Sequence, residues 1–135
     1  MNTSNCDRLR VLVVDNLRDY VDATVLLLRT AFQCDARGCL DGELAVEVMT
    51  EFEPHLLLLD IAMPKADGFA VIAQLKKRNM VPPYVVAVSG YAGEAITNRC
   101  LRAGFHHNVA KPTSLDTIKE LVAESQRRAF LAPAS

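Results

Sequence analysis

HLLLLDIAMPKADG, residues 55–68, sets four consecutive leucines directly against an aspartate. A short unbroken apolar run bounded by turn residues suits a strand covered on both faces. Asp60 is a charge that should shun the core, because a buried charge is costly unless it is paired. A carboxylate at the strand's end is instead a chemical handle on the rim of a sheet. The following Pro64, Asp67 and Gly68 turn the chain, and Asp67 is suited to cap the next helix.

Outward from this stretch, apolar runs and helical stripes alternate. RVLVV (10–14) reads as a strand ending at Asp15, and VPPYVVAV (81–88) as a turn and strand ending at Ser89. CDARGC (34–39) and HHNVA (106–110) are weaker, more polar strands, the latter ending at Lys111. Between them, Leu17, Val21, Thr24, Leu28 and Ala31 recur at helical spacing, with Tyr20 and Leu27 beside them. A second helix opens at Gly42, carries Ala45, Val48, Met49 and Phe52, and stops at Pro54; a third bears Ile72 and Leu75. A fourth runs from about Glu94 to Ala103, where Gly104 ends it. The last carries Leu115, Ile118, Leu121 and Val122, is capped by Thr113 or Ser114, and reaches about Arg128.

Five successive βα units imply a parallel sheet with helices on both faces and right-handed crossovers. The runs at 10–14, 55–59 and 84–88 are apolar enough to be central; those at 34–38 and 106–110 are polar enough to be edges. That selects the strand order 2-1-3-4-5, a flavodoxin-like (βα)5 doubly wound α/β fold. A dinucleotide-binding order is disfavoured, since DNLRDY rather than a glycine fingerprint follows the first strand. The same loop lacks the Ser, Thr and Gly that would cradle a flavin phosphate.

The 135 residues suggest one domain, residues 1–135, with a core of about 8–128 and a frayed tail at 129–135. Fifteen basic against sixteen acidic residues argue against a nucleic-acid surface driven by bulk charge. No run is long enough for a membrane span and the first residues lack a signal core, so a cytoplasmic location is expected. Cys6, Cys34, Cys39 and Cys100 show no zinc spacing and read as reduced thiols. His106 and His107 read as edge-strand histidines without a ligand partner. Arg127 and Arg128 complement the dipole of the last helix. An initial Met and a short tail suggest a complete chain, though a piece of a larger protein would read the same way.

In the expected order, Asp15, Asp60, Ser89 and Lys111 end neighbouring strands spaced by about 4.8 Å, so they converge on a patch ~10 Å across. Two carboxylates roughly 4 Å apart repel by several kcal/mol at an effective dielectric near 20. A divalent cation relieves that repulsion, and Mg²⁺ suits an all-oxygen site that retains waters. With charge neutralised by metal and Lys111, Asp60 can act as a nucleophile on phosphorus, and Ser89 can donate to phosphoryl oxygens.

The pieces VLVVDN, LLLLDIAMPKADGF, VVAVSGY and AGFHHNVAKP resemble the receiver domain of two-component response regulators, from about Arg8 to Arg128. The wording of the last piece is most similar to receivers associated with hybrid sensor histidine kinases. The resemblance implies a phosphorylatable signalling switch in a phosphorelay. Asp60 would be the phosphoacceptor, charged by a histidine kinase or histidine phosphotransfer protein, with a downstream protein target. It implies Mg²⁺ held by Asp15, Asp60 and the backbone carbonyl of Ala62. Ser89 would be the switch hydroxyl and Lys111 the phosphoryl partner, and the Lys111–Pro112 bond would be cis. Such a protein is no conventional enzyme, but it assists its own phosphorylation and dephosphorylation.

Two positions depart from the family pattern. Asn16 stands where receivers usually carry a second acid, which predicts weaker Mg²⁺ binding, through an amide oxygen or water, and slower phosphorylation. Asn108 stands where an aromatic ring often follows the switch hydroxyl; Tyr91 is the nearby substitute. Both departures motivate the alternative of a phosphorylation-independent pseudo-receiver that serves as an interaction module.

Overall fold

The computed structural model describes residues 8–131. Its elements alternate throughout: β1 (Arg10–Val14), α1 (Arg18–Ala31), β2 (Asp35–Cys39), α2 (Gly42–Phe52), β3 (Leu56–Asp60), α3 (Gly68–Lys77), β4 (Tyr84–Ser89), α4 (Glu94–Ala103), β5 (His107–Ala110) and α5 (Leu115–Gln126). All strand pairs are parallel and the order is β2-β1-β3-β4-β5. The fold is the expected flavodoxin-like arrangement, with the polar runs at its edges.

Alternation along the central strands divides two cores. Leu57 and Leu59 join Leu12, Val14, Val85 and Ala87 on the face covered by α2, α3 and α4, where Met49, Phe52, Ile72, Leu75, Cys100 and Phe105 pack. Leu56 and Leu58 join Val11, Val13, Val86 and Val88 on the opposite face, under Val21, Val25 and Leu28 of α1 and Ile118, Leu121 and Val122 of α5. Each fully buried leucine contributes roughly 1.5–3 kcal/mol, so β3 is a main anchor of the sheet. At the β2 edge, a Cβ on Gly38 would stand 2.3 Å from Val21 Cγ1, so the glycine is what lets α1 lie close.

Helix ends follow local chemistry. Asp67 caps α3 by accepting from the Ala70 N–H, and Ser114 caps α5 by accepting from the Thr117 N–H. Gly104 ends α4 at φ +112°, a left-handed conformation that suits glycine.

Some expectations for individual residues need correction. Leu17 and Leu115 are 53% and 57% exposed, because each stands at a helix start on the rim, beyond the sheet. Ala31 is also exposed, at the last turn of α1. Residues 127–131 continue α5 as a π-helical turn, and Phe130 meets the His55 ring edge-on at 4.9 Å, so helix extends beyond residue 128. Residues 132–135 and Cys6 lie outside the described residues; Cys34, Cys39 and Cys100 are buried free thiols.

Candidate functional site

The carboxyl ends of β1, β3, β4 and the turn after β5 bring Asp15, Asp60, Ser89 and Lys111 to one rim. Asp15, Asp60 and Ser89 are buried, at 1%, 4% and 0% exposure. The Lys111 ammonium enters from the side, 2.6 Å from Asp15 Oδ2 and 3.5 Å from Asp60 Oδ2. The Lys111–Pro112 peptide bond is cis.

Each carboxylate is held by one oxygen and presents the other. Asp15 Oδ1 accepts from the Leu17 N–H at 3.0 Å, which fixes it at the entry to α1. Asp60 Oδ1 accepts from the Ala62 N–H at 3.0 Å. Asp15 Oδ2 has the Lys111 ammonium as its partner, 2.6 Å away in a charge-assisted contact. Ser89 Oγ accepts from the Tyr91 N–H at 2.9 Å, which leaves the hydroxyl proton free to donate elsewhere.

Electrostatics matches this geometry. Burial raises the pKa of Asp60; the Ala62 N–H opposes the rise, the Asp15 charge reinforces it, and Lys111 opposes it. Burial alone would lower Lys111, but contact with Asp15 and the Asp60 charge outweigh it and the ammonium is stabilised. Two buried carboxylates face one cation, which leaves an uncompensated negative charge among oxygen donors. A hard divalent cation fits that donor set. No cluster of three or more acidic, His or Cys side chains is present among the described residues, so further ligands would be neutral oxygens, such as the Ala62 carbonyl, the Asn16 amide or water.

Asn16, next in sequence to Asp15, is exposed and lines a small cavity of about 180 Å³ with Asp41, Met63 and Lys65. Asn108 donates from Nδ2 to Thr97 Oγ1 at 3.2 Å, tying β5 to α4. Tyr91 is 69% exposed and contacts the site through its backbone N–H. Two larger cavities, about 460 Å³ each, lie between α2 and α3 and at the opposite pole of the sheet, away from the converged charges.

The sequence matches the response regulator receiver domain family over residues 11–123. The chain belongs to that family. Sensor histidine kinase RcsC of Escherichia coli is 30% identical over 132 residues, covering 93% of this chain and 13% of the relative. RcsC of Salmonella typhimurium is 30% identical over 121 residues, covering 87% and 12%. The receiver thus spans about an eighth of the length of these curated relatives. A signal receiver domain from Vibrio parahaemolyticus superposes with TM-score 0.81 at 21% identity, covering 92% of this chain and 94% of that one. The BeF3-activated receiver domain of Klebsiella pneumoniae RstA does so with TM-score 0.78 at 20% identity, covering 87% and 98%. The superpositions show the shared fold, and the family match makes the chain a receiver, a signalling domain of two-component systems. Among the described residues no helix is long and apolar enough to cross a membrane.

Two features of this receiver's rim had no signal in the sequence beyond a place beside a helix stripe or a possible cap. The Tyr20 ring lies 4.8 Å from the Lys111 ammonium. Its hydroxyl lies 3.0 Å from Thr113 Oγ1, so Thr113 serves that contact while Ser114 caps α5.

Proposed function

We propose that this receiver is a phosphorylatable switch in which Asp60 accepts a phosphoryl group from a phosphohistidine of a kinase or phosphotransfer protein, in the cytoplasm. The observation that carries the proposal is the Lys111 ammonium standing between two buried carboxylates, 2.6 Å from one and 3.5 Å from the other. A purely structural rim has no need to bury two like charges.

Asp60 is the nucleophile. Its Oδ1 is oriented by the Ala62 N–H while Oδ2 faces the ammonium. Attack forms an O–P bond, breaks the P–N bond of the donor and releases the imidazole, which takes up a proton. Lys111 supplies positive charge to the arriving phosphoryl oxygens. Asp15, Asp60 and the Ala62 carbonyl are the residues suited to hold Mg²⁺, with exposed Asn16 contributing weakly or through water. When bound, such a cation would neutralise charge on the transferring group and between the carboxylates. Ser89 donates its free hydroxyl proton to a phosphoryl oxygen. That leaves the Tyr91 N–H contact to readjust and shifts the population of conformations around α4, where Asn108 and Thr97 are joined. Hydrolysis of the acyl phosphate at the same residues resets the switch.

The test is intact mass after incubation with Mg²⁺ and a small acyl phosphate. Wild type is expected to gain one phosphoryl group that is lost without divalent metal and in Asp60→Asn. No gain under any metal condition would instead favour a phosphorylation-independent interaction module, the reading to which Asn16 and Asn108 lend weight.

A further inference from the structure

We infer that Tyr20 is a positioning residue for Lys111: its ring forms the third wall around the ammonium, and its hydroxyl fastens that wall to the turn that carries the lysine. The inference deepens the phosphoacceptor proposal and rests on it for its functional consequence, although the geometry stands alone.

Tyr20 is the third residue of α1 and is half-buried, packed against the core shared by α1 and α5. Its ring centroid is 4.8 Å from Lys111 Nζ, inside the ~6 Å over which an aromatic face attracts a cation. Its hydroxyl lies 3.0 Å from Thr113 Oγ1, two residues beyond Lys111. A tyrosine that only filled the core would need neither contact. The ring and the ammonium are therefore referenced to one turn, across a separation of 93 residues between Tyr20 and Thr113.

One stretch of chain supplies both sides of the lysine's pocket. Asp15 is fixed by the Leu17 N–H at the start of α1, and Tyr20 follows one turn later. Lys111 carries a flexible four-carbon stem and is 19% exposed. With water in place of the ring, the ammonium would sample orientations that no longer face Asp60. With the ring anchored, it is confined between Asp15 and the acceptor, so it has only a short way to move when a phosphoryl group arrives.

The full chain is compared as wild type, Tyr20→Phe, Tyr20→Leu and Thr113→Val, each checked for folding by amide NMR. The first readout is the shift of the Lys111 side-chain methylene protons, assigned by Lys111→Arg. Ring current from Tyr20 is expected to displace them in wild type; Tyr20→Leu should abolish the displacement, while Tyr20→Phe and Thr113→Val, which each keep a ring but remove the hydroxyl contact, should both reduce it. The second readout is affinity for beryllofluoride with Mg²⁺, expected to weaken about 3- to 10-fold in Tyr20→Leu and by less than that in Tyr20→Phe, which keeps the ring but not its anchor. Unchanged methylene shifts in Tyr20→Leu, or in Thr113→Val should the leucine variant fail to fold, would overturn the inference, as would unchanged affinity in a folded Tyr20→Leu. If wild type itself does not bind beryllofluoride, the phosphoacceptor proposal fails, and the methylene shifts decide the positioning of Lys111 by themselves.

Discussion

Lys111 stands closer to Asp15, at 2.6 Å, than to Asp60, at 3.5 Å. The resting lysine is therefore held chiefly by the carboxylate that is not the proposed acceptor. Asp60 keeps an incompletely compensated charge in a buried position, and this imbalance shapes the stability of the domain as well as its chemistry.

Asp60→Asn is expected to stabilise the metal-free protein at neutral pH, on the order of 1 kcal/mol or roughly 3–6 °C in Tm. The folded pKa of Asp60 lies above its ordinary 3.8, so the folded state binds more protons than the unfolded chain between those two values. Wild-type stability then falls, through this group, as pH rises across that window. The advantage of Asp60→Asn should be absent near pH 3.8, grow as pH rises through the folded pKa, and level off above it. Saturating Mg²⁺ should shrink it. Thermal melts across pH with and without metal measure this, and an asparagine variant less stable than wild type at pH 7 would contradict it.

Asn16→Asp adds a third carboxylate at the rim, next in sequence to Asp15 of the buried pair. It should tighten Mg²⁺ binding about 3- to 10-fold, as expected for one added charge near a cation in largely aqueous surroundings. Calorimetric titration compares the two proteins directly. Equal affinities would show that the charge missing at Asn16 is immaterial.

Gly68 sits where α3 crosses the end of β3. A Cβ there would lie 2.7 Å from the Asp60 carbonyl oxygen and 2.8 Å from Ile61 Cα, both backbone atoms. Gly68→Ala should cost roughly 1–3 kcal/mol and displace the acceptor strand end. Urea unfolding gives the first quantity, and the Asp60 amide shift reports the second. A neutral substitution would mean that α3 can move away freely.

Two imidazoles close the far pole of the sheet in the same way. His55 Nδ1 accepts from the Arg10 N–H and His106 Nδ1 from the Val85 N–H, each at 2.9 Å, so each must be unprotonated at that nitrogen. Burial lowers both pKa values, helped by Arg10 at His55 and by Arg128 at His106. The unfolded chain then binds more protons just below the ordinary value of 6.5, so stability is full above it and lost as pH falls from there toward the folded values. Melts between pH 7 and 5 should show this loss, and His55→Gln with His106→Gln should flatten it. An unchanged slope in the double variant would remove these histidines as its cause.

Much of the architecture was legible because its signals are local. The leucines of β3 and the apolar runs of β1 and β4 mark central strands, and polar β2 and β5 mark edges, so the order followed. Asp15, Asp60, Ser89 and Lys111 could be found because each ends a strand or begins the turn after one. Tyr20 could not: its contacts with Lys111 and Thr113 arise only when α1 is packed beside the β5–α5 turn, and a tyrosine at helical spacing reads as core filling. Leu17 and Leu115 fitted apolar stripes yet stand exposed, because periodicity does not reveal where the sheet beneath a helix ends. Helix beyond residue 128 was equally illegible, since the contact of Phe130 with His55 lies far away in sequence.

The most direct measurement locates the phosphoryl group. After incubation with Mg²⁺ and an acyl phosphate donor, borohydride reduction converts an aspartyl phosphate to homoserine, which peptide mass spectrometry places in the chain. Homoserine at position 60, dependent on both metal and donor, is the predicted result. Stoichiometric homoserine at another aspartate, or none while a donor known to charge other receivers is present, would contradict the assignment of Asp60 as the acceptor.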